Sequence, residues 1–102
     1  MHPLIEERLP ELRELCRRYH VARLDLFGSA AGERFDPARS DIDFVLEYLP
    51  EAKKDYPDVY FGLKAELEAL FGRPVDLVMI NAVCNPHFRE EVEGTRVLLY
   101  AA

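Results

Sequence analysis

Short apolar stretches along the chain switch between the period of a helix and that of a strand. Leu12, Leu15, Cys16 and Tyr19 share one face of a helix predicted over 10–19, with Pro10 at its first position, where a missing N–H is no loss. Residues 3–8 form at most a short helix of their own, because Pro10 breaks a continuous one. Residues 21–27 alternate as a strand that Gly28 ends, and 41–47 form a second. Between them, 29–33 can make one helical turn capped by Ser29, followed by a polar loop over 34–40. Val59, Leu63, Leu67 and Leu70 predict a helix over 57–71, stopped by Gly72. A third strand follows over 75–80, then a short helix from Asn85-Pro86 to about 92, and a last strand over 96–100. The order helix, strand, turn, strand, helix, strand, helix, strand predicts an α/β (α+β) fold, a sheet with helices packed against it.

With 102 residues, the chain is expected to be one domain over 1–102. Its 49% hydrophobic and 31% charged residues suit a soluble globular protein. No apolar run approaches the roughly 20 residues of a membrane span, and residues 1–7 lack the pattern of a secretory signal. The cytoplasm is the expected location. Cys16 and Cys84 lie far apart and read as buried thiols, and His2, His20 and His87 form no zinc motif. The formal charge of −6 counts against direct nucleic-acid binding and is compatible with a basic protein partner.

Three features carry chemistry. On a strand, Asp41 and Asp43 point to the same face, roughly 6.5–7 Å apart at the backbone, while Ile42, Phe44 and Leu46 fall on the core side. Two like charges in an apolar strand have no structural purpose there, and Mg²⁺ takes carboxylate oxygens together with substrate phosphates. Taken alone, the pair reads first as an Asp41 cap or turn beside a solvent-facing Asp43, and only second as a metal site. Gly28 lets the backbone approach a ligand, and Ser29 opens a helical turn suited to an anion, although the same pair serves an ordinary capped junction. Asp76 stands among Val75, Leu77, Val78, Met79 and Ile80, so it is expected to be buried or nearly so, either salt-bridged to an arginine such as Arg73 or joined to the other aspartates.

Together, Phe27-Gly28-Ser29, eleven intervening residues, Asp41-Ile42-Asp43, and then Val75-Asp76-Leu77-Val78 resemble the minimal nucleotidyltransferase family of the polymerase-beta superfamily. The likeness spans essentially the whole chain, to Asn85-Pro86 and Leu99-Tyr100. It implies a small mixed sheet with helices on one side and two Mg²⁺ ions held by Asp41, Asp43 and Asp76. It further implies ATP or another nucleoside triphosphate as substrate, with Gly28 and Ser29 at the triphosphate. Asp41, Asp43 and Asp76 are thus the catalytic and metal-binding set that the resemblance implies. The chain departs from the pattern in having eleven rather than ten residues before Asp41, and Ala30 where arginine is frequent; Arg34 and Arg39 are the nearby cations.

Stand-alone domains of this size resemble the antitoxins of HEPN/MNT toxin–antitoxin pairs. That resemblance implies transfer of AMP from ATP to a tyrosine of a HEPN-domain ribonuclease toxin. A second reading is a binding module that neutralises its partner by contact, which Ala30 favours. A third is a transferase acting on a small molecule or RNA, which the small size and negative charge disfavour. A homo-oligomer is compatible with all three. Arg17-Arg18 reads as a solvated helix edge, and Tyr48, Tyr56 and Tyr60 as packing residues, with Tyr56 or Tyr60 a candidate neighbour of the nucleotide.

Overall fold

The computed structural model describes residues 3–27, 41–50, 56–79 and 96–102. A short helix, α1 (Pro3–Glu6), leads into α2 (Leu9–Arg18), with Pro10 in the first turn of the second. The break between them is the one Pro10 requires. Leu12, Leu15 and Cys16 are buried along one stripe of α2 and Tyr19 packs beside them. Arg17 and Arg18 occupy the exposed last turn, where positive charge suits the helix dipole, and pair with Glu14 and Glu66. His20 adopts a positive φ of 57° and turns the chain into β1 (Val21–Phe27).

The other elements are β2 (Ile42–Tyr48), α3 (Tyr56–Phe71), β3 (Val75–Met79) and β4 (Val97–Ala101). The strands form one mixed sheet in the order β3-β2-β1-β4, with β1 antiparallel to both neighbours and β2 parallel to β3. A parallel pair cannot be closed by a tight turn, so the chain crosses over through α3. Gly72 ends that helix with φ +65°, its N–H donating to the Glu68 carbonyl at 2.8 Å. At Gly62 the helix passes so close to α2 that a Cβ would lie 2.9 Å from the Tyr19 ring.

The core lies between the helices and one sheet face. Leu24, Leu26, Ile42, Phe44 and Leu46 from the strands and Leu63 and Leu67 from α3 are fully buried there. The other face bears a small apolar cluster of Phe27 and Val45, with Val78 against it. The predicted mixed sheet with helices packed against it is the fold observed. Strand edges move by one residue, since Asp41 precedes β2 and Arg96 precedes β4. The turn expected over 29–33 and the helix expected over 85–92 lie outside the described residues.

Candidate active site

Strand alternation places the acids. Ile42, Phe44 and Leu46 fill the core side of β2, so Asp43 and Val45 face the opposite side, and Asp41 immediately precedes the strand. Register then brings the neighbours. Asp76 of β3 pairs with Asp43 across the parallel ladder, and Phe27 of β1 pairs with Asp43 across the antiparallel one. Asp76, Asp43 and Phe27 thus lie on one rung, each step about 4.8 Å. The strand that leads directly to Gly28 and Ser29 therefore ends beside the acidic pair; those two residues lie outside the described residues, as do Ala30, Arg34 and Arg39.

Asp43 is half-buried, and Asp41 and Asp76 are exposed. The exposure of Asp76 corrects the expectation from its apolar neighbours. Val75 and Leu77 point into the core, whereas Asp76 points to the other face, where the apolar cluster among the described residues is Phe27, Val45 and Val78. An arginine partner is consequently not needed, and among the described residues no ion pair joins Arg73 to Asp76; the Arg73 Nε turns to the Phe71 carbonyl at 3.4 Å.

Three carboxylates offer the hard oxygen donors that Mg²⁺ prefers. Among the described residues no three His, Cys, Asp or Glu side chains stand close enough together to hold a metal ion by themselves. Mg²⁺ needs only one or two carboxylates beside substrate phosphates and waters, and Asp43 and Asp76, paired across the ladder, are two such groups.

One charged group on this face escapes sequence reasoning. Asp25, two residues before Phe27, has a fully buried side chain. Arg23 grips it with two parallel bonds, Nε to Oδ1 at 2.9 Å and Nη2 to Oδ2 at 3.0 Å. Arg96 adds its Nε to Oδ2. Both guanidinium groups thus converge on one carboxylate beside the acidic rung. The Arg23 contact is legible as a same-face pair two residues apart; the Arg96 contact spans 71 residues and leaves no local signal.

Two further contacts bracket Asp76. The Tyr60 hydroxyl donates to the Leu77 carbonyl at 2.7 Å, and the Val75 N–H donates to a carboxylate oxygen of Glu68 at 3.1 Å. Tyr60 is a tie between helix and sheet, and Tyr48 packs in the core. Cys16 is deeply buried, which pushes its thiol up to about 12 and makes it an inert apolar group. No helix among the described residues is long and apolar enough to cross a membrane.

The mixed sheet, helix-covered on one face and acidic on the other, defines the class: a minimal nucleotidyltransferase. The chain belongs to the nucleotidyltransferase domain family, whose model matches residues 9–99. A protein of Methanocaldococcus jannaschii with a proposed protein adenylyltransferase activity is 33% identical over 81 residues, which cover 78% of this chain and 76% of that one. A solved structure of a proposed minimal nucleotidyltransferase superposes with a TM-score of 0.74 at 27% identity, covering 91% of this chain and 90% of the other. A chain in the structure of tri-AMPylated Shewanella oneidensis HEPN toxin in complex with MNT antitoxin superposes at 0.63 with 18% identity, over 95% of this chain and 72% of the other. A chain of a toxin–antitoxin structure with AMP-PNP reaches 0.65 at 20% identity, over 92% and 73% of the two chains. The last two likenesses speak for the fold alone.

Proposed function

We propose that the chain is a Mg²⁺-dependent protein adenylyltransferase that moves AMP from ATP to a tyrosine hydroxyl of a HEPN-domain toxin and so acts as its antitoxin. The observation that carries the reading is the pairing of Asp43 with Asp76 on one rung, with the exposed Asp41 two residues before Asp43. The proposed activity of the Methanocaldococcus relative supports protein as the acceptor, and the AMPylated toxin in a structure of like fold supports its kind.

In this reading Asp41, Asp43 and Asp76 hold the metal, which when bound neutralises phosphate charge and orients the nucleotide. Gly28 and Ser29 present backbone and hydroxyl donors to the triphosphate. Asp76, exposed at the face, takes the proton of the acceptor hydroxyl. The hydroxyl oxygen bonds to the α-phosphorus as the bond to the bridging oxygen breaks, and pyrophosphate leaves with that electron pair. The chain's contribution is positioning and electrostatic stabilisation.

The test is to incubate the chain with Mg²⁺, α-³²P-ATP and its candidate HEPN partner, with Asp41→Ala/Asp43→Ala as control. Metal-dependent label on the partner, absent with the control, is the expected result. A stable complex that neutralises the toxin without label would replace this reading with contact neutralisation, the reading that Ala30 favours.

A further inference from the structure

We infer that Tyr60 and Glu68 are positioning residues for Asp76, standing in for the outer strand that β3 lacks among the described residues. In a parallel ladder, backbone groups of alternate residues face the neighbouring strand and the outer edge. The Ile42 N–H donates to the Pro74 carbonyl at 3.2 Å, which sets the phase. Pro74 and Asp76 therefore turn their backbone groups toward β2, and Val75 and Leu77 turn theirs outward.

Those outward groups are the ones α3 takes. Glu68 accepts the Val75 N–H, and Tyr60 donates to the Leu77 carbonyl. The helix runs back along the strand, so its earlier residue meets the later strand position and its later residue the earlier one. Glu68 itself sits in the last helical turn, its carbonyl tied to the Gly72 N–H at 2.8 Å. One hydrogen bond lies immediately before Asp76 and one immediately after. An edge strand with free outer groups frays more readily than an inner one. Here the two side chains hold β3 in the register that sets Asp76 opposite Asp43.

The inference rests on the proposed role of Asp76 in the acidic site, and its test separates the two. The intact chain is compared with Tyr60→Phe/Glu68→Leu, which removes the donor and the acceptor, and with Glu68→Gln, which keeps an acceptor for the Val75 N–H. Native-state hydrogen exchange is measured at the amides of Asp76 and Val78, with Leu24 and Leu26 of β1 as internal reference. Mn²⁺ is titrated in the presence of ATP, its binding followed by water-proton relaxation. The double variant should exchange about tenfold faster at Asp76 and Val78, as expected for losing hydrogen bonds of ordinary strength, with β1 unchanged. Its half-saturating Mn²⁺ concentration should rise several-fold, while Glu68→Gln behaves as the parent.

Parent-like exchange and Mn²⁺ binding in the double variant would overturn the inference. So would a uniform acceleration across β1 and β3 with Mn²⁺ binding unmoved, which marks a general stabilising tie. Failure of the parent chain itself to take Mn²⁺ with ATP would sink the reading of Asp76, and the exchange rates would still decide whether Tyr60 and Glu68 hold the strand.

Discussion

On the helix-covered face of the sheet, Leu24, Leu26, Ile42, Phe44 and Leu46 are wholly withdrawn from solvent; on the other face, β1, β2 and β3 each present an aspartate. These are Asp25, Asp43 and Asp76, set around Phe27, Val45 and Val78. The same residue type on the same face meets three fates. Asp25 is buried completely and is matched by two arginines. Asp43 is half-buried and Asp76 exposed, within reach of ions and substrates. Depth, more than residue type, separates the acid that serves the fold from those proposed to serve the reaction.

The largest expected effect is on chemistry. Asp43→Asn should cut transfer of AMP by more than about 100-fold, the upper end of the cost of losing even a supporting partner in a metal site. Its urea midpoint should stay level or rise slightly, since a repulsion between neighbouring carboxylates is relieved. A matching loss of stability would merge the two kinds of aspartate and break the comparison. Asp25→Ala should behave in the opposite way, losing about 3–5 kcal/mol in urea unfolding because the largely buried Arg96 loses its carboxylate partner. A variant as stable as the parent would show that the arginines find water or other partners.

Leu67→Ala removes a fully buried side chain of α3 from the apolar side. It should cost about 2–5 kcal/mol, and transfer by the fraction still folded should be unchanged. The smallest effect concerns Cys16. Its folded thiol is raised, so the unfolded chain releases the proton first, and the contribution to stability is whole below about pH 9. That contribution should shrink by about 1 kcal/mol by pH 10 and continue to fall toward the folded value. Cys16→Ala, less stable overall, should lack this component, so the two stability curves should converge as the pH rises from 8 to 10.

Most of the frame was legible because it rests on local periodicity. The alternation of Ile42, Phe44 and Leu46 against Asp43 is fixed by the pleat and needs no knowledge of neighbours. The spacing of Leu63 and Leu67 likewise marks the buried side of α3. Asp76 was misjudged because apolar neighbours on a strand do not reveal how well the second face is covered. Here Val75 and Leu77 are buried on one side while Asp76 is open on the other. The Asp25–Arg96 contact and the ties from Tyr60 and Glu68 to β3 were illegible for a different reason: each depends on tertiary placement and leaves no periodic trace.

The attachment of β4 has a consequence for the order of assembly. Arg96 meets Asp25 across 71 residues, and the Arg13 Nε meets the Leu99 carbonyl across 86, at 3.2 Å. The β2–α3–β3 unit closes over far shorter stretches, and contacts between distant residues are the slower to form. A folding chain therefore builds the acid-bearing strands first, with the far side of β1 still open and Asp25 met only by Arg23. Docking of β4 then supplies the second arginine and covers that edge in one step. The late step in folding is thus expected to enclose Asp25 between its two arginines, and its rate should depend on salt more steeply than the rate of the steps before it.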